Sequence, residues 1–300
     1  MLKLPVIVAP MFLVSTPKMV IEASNAGVIG SFPLLNARPI ETCAEWMKEV
    51  KEALGEKPWA VNLICHRASN KRFDQDLDMI RQFEPPIVIT SLGSPTDVIE
   101  TVHAYGGLVY SDVANVRHAK KASQTGVDGL ILVSAGAGGH GGVLNPFAFI
   151  AAVKEFFDGT IILSGSLSTG ADVAAAKLMG ADYAYMGTRF IAAEESNAQE
   201  DYKQMVIDST IEDVLYTDSF SGVHANVLIP SLRKEGIDPA NLKPKDEVDL
   251  SHLVDVKAWR DIWSAGHGVT TVTKRETTKE IIDSLIEEYE KGVSKLVRND

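Results

Sequence analysis

Gly129-Leu130-Ile131-Leu132-Val133-Ser134-Ala135-Gly136-Ala137-Gly138-Gly139-His140-Gly141-Gly142-Val143-Leu144-Asn145-Pro146 runs from an apolar strand candidate through a glycine loop to the start of a helix. The short apolar run suits a buried strand, and Asn145-Pro146 is a cap residue followed by proline in a first helical turn. Gly136, Gly138 and Gly141 formally satisfy G-x-G-x-x-G, the phosphate fingerprint of a doubly wound dinucleotide fold. That fingerprint needs the helix to open at the glycines, whereas here it opens only at Asn145-Pro146. The stretch therefore reads as one βα unit whose long glycine loop sits at the C-terminal end of its strand.

The same unit recurs on both sides. Strand candidates are Leu4–Ala9, Val28–Phe32, Trp59–Leu63, Ile87–Thr90, Gly107–Tyr110, Gly129–Val133, Thr160–Leu163 and Asp182–Met186. Between them, helix-period segments cover Ile40–Leu54, Lys71–Phe83, Pro95–Ala104, Val116–Thr125, Pro146–Phe157 and Ala171–Met179, and Ser15-Thr16-Pro17 starts another. Each is long enough for a right-handed crossover between parallel strands. Eight such units close into a (β/α)8 TIM barrel. Open sheets use the same alternation, so the residues at the strand ends decide. Met11, Ser91, Asp112, Ser134, Ser164 and Thr188 follow strands, and Asn62 lies near the end of its own. An open sheet would mark only its switch point in this way, whereas a barrel gathers all its C-terminal strand ends around one site.

After Arg189 the repeat stops. A helix is expected near Asn197–Thr210, then Ser, Gly and Pro punctuation from Thr217 to Asp249. A last amphipathic helix, Lys274–Val293, carries Ile281, Ile282, Leu285 and Ile286 at helical spacing. The expected organisation is a barrel over 1–210, a smaller C-terminal cap over 211–273 that covers the site, and a helix within 274–300 that packs back on the barrel.

Composition narrows the partners. A formal charge of −11 has the wrong sign for gripping a polyphosphate backbone, so no nucleic-acid partner is expected. No run of 18 uninterrupted apolar residues predicts a membrane span. The apolar start, Leu4 to Val14, is broken by Pro5 and Pro10 and lacks a small-residue cleavage site, so it does not read as a signal peptide. The two cysteines, Cys43 and Cys65, form no C-x-x-C pair, and a cytoplasmic location is expected. Histidines show no metal-ligand spacing, so no metal site is predicted. Walker and nucleophile-elbow motifs are absent, and Lys120, Lys121, Lys154 and Lys177 fall in helix patterns rather than at strand ends.

What remains is a glycine-lined surface, one imidazole and a phosphate cradle. Five of the seven residues Gly136 to Gly142 are exempt from Cβ sterics around His140, so backbone amides can approach a ligand closely. Ser164-Gly165-Ser166 and Gly187-Thr188 follow the last two barrel strands, the usual phosphate position of such barrels. Tight βα turns are the alternative reading of these serines and glycines. A flavin mononucleotide satisfies all three features.

The chain resembles the FMN-dependent nitronate monooxygenases over almost its whole length. The resemblance rests on Ala9-Pro10-Met11 with Ser24-Asn25-Ala26-Gly27, Val61-Asn62-Leu63, Ala137-Gly138-Gly139-His140-Gly141, and Met186-Gly187-Thr188-Arg189-Phe190 leading to Glu195-Ser196. It implies that Ala9, Pro10, Met11 and Asn62 line the flavin ring and that Gly138 and Gly139 pass close to it. Gly165, Ser166, Gly187 and Thr188 would bind its phosphate, and His140 would act on the substrate. An imidazole, with a reference pKa of about 6.5, can bind a nitronate or take a proton from a nitroalkane. Three positions depart from the family pattern. Ser166 replaces a glycine common among relatives, adding a hydroxyl donor. Asp112 stands where some relatives carry lysine, which puts it in doubt as a cofactor contact. His267, in Ser264-Ala265-Gly266-His267-Gly268, replaces a frequent glutamine.

The implied reaction is oxidative denitrification of an alkyl nitronate such as propionate 3-nitronate, with dioxygen as second substrate and a carbonyl compound and nitrite as products. NADH-dependent FMN reductases, of the enoyl-acyl-carrier-protein reductase or quinone reductase type, share the histidine and Gly-Thr-Arg-Phe motifs and form the alternative. A non-redox flavin- or phosphate-ligand-binding barrel is the second. His66 and Arg67, after the third strand, could meet an anionic substrate or be solvated loop residues. Trp46, Trp59, Trp259 and Trp263 read as core rather than interface.

Overall fold

The computed structural model describes residues 2–245 and 261–297. Trp259 and part of the expected cap segment lie outside the described residues. Eight parallel strands form the central sheet: β1 (Val6–Val8), β2 (Gly30–Pro33), β3 (Trp59–Ile64), β4 (Ile87–Ser91), β5 (Leu108–Val113), β6 (Gly129–Val133), β8 (Thr160–Ser164) and β9 (Tyr183–Met186). From β2 to β9 each pairs with the next barrel strand along the chain, and β1 pairs with β9. An Ile7–Ile29 bridge closes the remaining gap, with Val8 N donating to Ile29 O at 2.8 Å and Ile29 N to Val6 O at 2.9 Å. The expected (β/α)8 TIM barrel is what the chain forms.

Alternation along the strands builds two cores. Ile7, Ile29, Ala60, Ile89, Tyr110, Ile131, Ile162 and Tyr185 fill the barrel interior, one layer above another. Residues on the opposite strand faces, such as Val61, Val88 and Leu132, pack under the helices. Those helices are α1 (Pro17–Ala26), α2 (Ile40–Leu54), α3 (Phe73–Phe83), α4 (Thr96–His103), α5 (Val116–Ser123), α6 (Pro146–Lys154) and α7 (Gly170–Met179). Two of the starts follow cap residues read from sequence, Thr16 and Asn145, and the structure adds a third at Thr169. Thr16 accepts from Met19 N, Asn145 accepts from Phe147 N with Pro146 behind it, and Thr169 forms a reciprocal box with Asp172. Each such cap contributes about 1 kcal/mol.

Beyond the barrel come α8 (Thr188–Ile191), α9 (Glu200–Asp208), α10 (Ile229–Lys234) and α11 (Thr278–Val297), the last packed on α7 and α1. The segment read as punctuation contains structure that the sequence hid. β10 (Val214–Thr217), β11 (Ala225–Leu228) and β7 (Gly139–His140) form a second, antiparallel sheet. A four-residue strand buried on both faces, as β11 is, shows no period, so no alternation announced it.

The Gly-Thr-Arg-Phe motif divides its labour. Arg189 Nη2 and Glu276 Oε2 form a buried ion pair at 2.8 Å that ties α8 to the strand-like segment before α11. Phe190 is fully buried beside Ile281, Ile282 and Leu285 of α11. Burial pushes the Glu276 carboxyl up, but Arg189, with Lys274, outweighs it and holds the group below the usual carboxylate range. A depressed folded-state value means that the pair stabilises fully above the unfolded carboxyl value and loses its effect as pH falls through the folded one. Arg189→Ala is expected to cost about 1–3 kcal/mol in urea unfolding near neutral pH, because it leaves the buried Glu276 with Lys274 as its remaining charged partner, and to cost less in acid. An unchanged midpoint at neutral pH would show that the pair carries no such weight.

Candidate active site

A cavity of ≈ 650 Å³ opens at the C-terminal ends of the barrel strands, a size that holds a nucleotide-like ligand. Its wall contains all the residues singled out from the motifs. Ala9, Pro10 and Met11 come from the end of β1, Asn62 from β3, and Gly138, Gly139 and His140 from the glycine loop. Gly165 and Ser166 come from the end of β8, and Gly187 and Thr188 from the start of α8. These positions are far apart in sequence and meet because every parallel strand points its carboxyl end at the same mouth.

The glycine loop is held from outside the barrel. Gly139 N donates to Ser264 Oγ at 2.6 Å, Asn226 Nδ2 donates to Ala137 O at 2.6 Å, and Gly141 N donates to His224 O at 3.2 Å. Tyr216 Oη donates to Gly141 O at 3.0 Å, and His267 N to Gly136 O at 2.9 Å. Pairing of His140 with Ala225 then fixes the imidazole at the cavity wall. Its Nε2 lies 3.3 Å from Ser221 Oγ. That hydroxyl also donates to Val223 O at 3.0 Å, which ties the ring to the loop before β11. Ser221, Asn226 and Ser264 were invisible as site residues in the sequence, since a lone Ser or Asn in a polar stretch carries no spacing signal.

Two glycines on the phosphate side behave differently. Gly165, with φ +113°, has no room for a side chain: a Cβ there would lie 2.6 Å from Ser134 Oγ and 2.8 Å from Ala135 O. Gly187 has ordinary backbone angles, and a Cβ would meet only Met11 Sδ at 3.4 Å, Met11 Cγ at 3.5 Å and Ala9 Cβ at 3.6 Å. Ser166 adopts φ +59°, the left-handed region that favours glycine. Its hydroxyl donates back to Ala135 O at 3.1 Å, so the extra donor braces the glycine loop. Thr188 Oγ1 accepts from Gly266 N at 2.8 Å, which leaves its hydrogen for a ligand.

On the opposite side of the floor, Asn62 Nδ2 donates to Ile89 O at 3.1 Å and to Ser91 Oγ at 2.8 Å, so the amide keeps its oxygen for the cavity. Ser91 Oγ donates to Asp112 Oδ2 at 2.5 Å. Burial pushes the Asp112 carboxyl up to about 6 against the lowering effect of Ser91. Tyr185, on β9, is raised for the same reason and further by the nearby Asp112. The outer arm of the cavity reaches α5, where His118 and Lys121 join Ser94 and Thr125 in the wall. Lys121 thus sits on a helix, as its pattern indicates, and still faces the site.

Other candidates fall elsewhere. Arg67 pairs with Asp74 at 2.7 Å and Asp97 at 2.8 Å, and His66 Nδ1 contacts Ser69 Oγ at 2.7 Å, both away from the cavity wall. The His267 ring packs against Gly136, where a Cβ would lie 2.7 Å from its Nδ1, and is not part of the wall. Trp59 and Trp263 are buried, and Trp263 stacks on Tyr202 with ring centres 5.0 Å apart. Among the described residues no helix is long and apolar enough to cross a membrane.

Comparison with known proteins adds the family. The nitronate monooxygenase family model matches residues 32–288. A nitronate monooxygenase of Paraburkholderia phytofirmans is 27% identical, covering 80% of this chain and 77% of that protein. Among solved structures, a mutant of FabK from Thermotoga maritima has a TM-score of 0.79 at 25% identity, covering 99% of this chain and 95% of that one. The nitroalkane oxidase of Streptomyces ansochromogenes has a TM-score of 0.81 at 22% identity, covering 98% and 97%, and shares the fold.

Proposed function

Because the chain belongs to the nitronate monooxygenase family, whose members are flavin-dependent oxidoreductases, we propose that it uses FMN and dioxygen to convert an alkyl nitronate into a carbonyl compound and nitrite. The observation that carries this reading is the convergence, in one barrel-end cavity, of an oriented imidazole, a glycine-lined wall and a cradle without side chains at Gly165 and Gly187. The uncrowded position of Gly187 at the cavity wall and the acceptor and donor atoms left over at Asn62 and Thr188 fit a phosphorylated heterocycle.

In this reading Gly165, Ser166, Gly187 and Thr188 hold the phosphate through backbone amides and the Thr188 hydroxyl, which needs no cation in an acidic chain. Ala9, Pro10 and Met11 give the ring an apolar bed, and Asn62 Oδ1 accepts from a ring N–H. FMN, when bound, supplies a reversible electron acceptor. His140 sits against the substrate: protonated, it pairs with a nitronate oxygen, and neutral, the imidazole accepts the proton lost from the carbon of a nitroalkane. Tyr202, Trp263 and Val223 close the wall from the post-barrel side and keep water from the reacting atoms.

An anionic substrate also suits the outer arm. Helix α5 carries Arg117, His118, Lys120 and Lys121 and no acidic residue, in a chain of net charge −11. Burial, with Arg117 and Lys121 nearby, lowers the His118 value, as expected beside uncompensated positive charge. Lys121→Glu is expected to raise KM for propionate 3-nitronate about three- to tenfold at low ionic strength with kcat unchanged, and the gap should narrow in salt. A KM indifferent to the substitution would remove Lys121 from substrate capture.

The reading is tested by anaerobic visible spectroscopy of the purified protein. Flavin bands that bleach with propionate 3-nitronate and return with air support it. Bleaching by NADH alone would assign the protein to the NADH-dependent reductases, and bands inert to both donors would indicate a non-redox binding barrel.

A further inference from the structure

The floor of the cavity contains a hydrogen-bond relay whose direction is fixed. Asn62 Nδ2 can only donate, so Ser91 Oγ accepts from it and must send its own hydrogen to Asp112 Oδ2. The second carboxyl oxygen, Asp112 Oδ1, is buried and has no hydrogen-bond partner among the described residues. Asp112 lines the cavity, as do Asn62 and Ser91. With Oδ2 accepting, a proton on this carboxyl belongs on Oδ1. The floor then offers an acceptor, Asn62 Oδ1, and a donor, Asp112 Oδ1–H, joined through Ser91. An edge of a heterocycle that carries a carbonyl or imine nitrogen near an N–H is the complement of that pair, and the isoalloxazine has such an edge.

We propose that Asp112 is a cofactor-contacting residue that binds the flavin as a neutral carboxylic acid, donating its Oδ1 hydrogen to an acceptor on the heteroatom edge of the ring. The inference rests on the flavin reading above. Ionised, the same carboxyl would turn the lone pairs of Oδ1 on a ring acceptor and leave that oxygen desolvated without compensation. The surroundings shift the free carboxyl toward the neutral form, since burial pushes it up to about 6 against the lowering effect of Ser91. Groups near it do not supply a compensating charge. Tyr185 on β9 and Cys65 after β3 are both pushed up by burial, Cys65 to about 12, and stay neutral. His140 on the glycine loop, with His118 and Lys121 on α5, lines the same cavity, but none of the three is hydrogen-bonded to Asp112 Oδ1.

Flavin binding must then take up or retain a proton at Asp112. The bound-state value lies above the free one, so affinity is full below about pH 6 and falls as pH rises between the two values. Dilution of the flavin-loaded protein, with released FMN read by its fluorescence, gives Kd across pH. The FMN phosphate itself titrates at about pH 6, so the diagnostic quantity is the ratio of wild-type Kd to that of Asp112→Asn. The asparagine amide keeps a donor in place at every pH and leaves the phosphate contribution untouched. The ratio is expected to be near one in acid and to rise up to about tenfold per pH unit above the free Asp112 value. Asp112→Leu, which cannot donate, should bind FMN more weakly than Asp112→Asn throughout. A wild-type to Asn ratio that stays constant with pH while both proteins bind FMN would overturn the role of Asp112 and leave the flavin reading standing. Absence of FMN binding by the wild-type protein at any pH would overturn both.

Discussion

Replacing His140 with alanine is expected to leave FMN bound with an unaltered visible spectrum and to lower turnover of propionate 3-nitronate by about 10²- to 10⁴-fold. The size follows from what the side chain supplies: one oriented imidazole, on a loop of glycines that offers no substitute. Its backbone place does not depend on the ring, because the pairing to Ala225 and the flanking bonds of Gly139 and Gly141 are made by main-chain atoms or by Ser264. Flavin content and thermal stability should therefore hold while the reaction fails. His140→Gln retains a hydrogen-bonding side chain without a titrating nitrogen, so it should recover nitronate binding more than proton abstraction from neutral nitroalkanes. Turnover by His140→Ala within a few-fold of wild type would remove the imidazole from the chemistry.

Gly187→Val is expected to do the reverse: a folded barrel that no longer holds its cofactor. Around Gly187 the first added carbon meets only ordinary contacts, from 3.4 Å at Met11 Sδ outward, and the backbone is in a region open to any residue. The branched methyls would then crowd Met11 and Ala9 at the cavity wall and narrow the space left for the cofactor. Overpacking of that kind costs about 1–3 kcal/mol, which corresponds to a loss of about five- to more than a hundredfold in FMN affinity, visible as colourless protein after gel filtration. Unfolding by urea should stay close to wild type when both proteins are compared without flavin. Gly165→Ala provides the contrast, since its Cβ would lie 2.6 Å from Ser134 Oγ on a left-handed backbone, so stability should fall before affinity can be measured. Full flavin retention by Gly187→Val would show that the cofactor does not approach Gly187.

The barrel was legible because each of its strands is a short apolar run ended by a turn and followed by a helix of adequate length. Local signals also set helix starts: Thr16 and Asn145 cap where the sequence placed them, as side chains satisfying amides within three residues need no distant partner. Strand-end residues such as Asn62 and Gly187 followed from the topology, since parallel strands expose their carboxyl ends together. The antiparallel sheet of β7, β10 and β11 was not legible. It depends on non-local pairing between segments far apart in the chain, His140 with Ala225, and burial of β11 on both sides erases the alternation that reveals a half-exposed strand.

The sequence by itself determined the repeated βα unit, the barrel and the residue types around its mouth, because periodicity, caps and glycine placement act over a few residues. Only the tertiary structure decided how those residues are oriented: that the His140 ring lies against Ser221, that Ser166 turns its hydroxyl to Ala135, that Arg67 is spent on Asp74 and Asp97, and that Asp112 is left with one unpaired oxygen. Direction, desolvation and satisfaction of a polar group depend on neighbours brought by distant segments, and a linear sequence does not contain their distances.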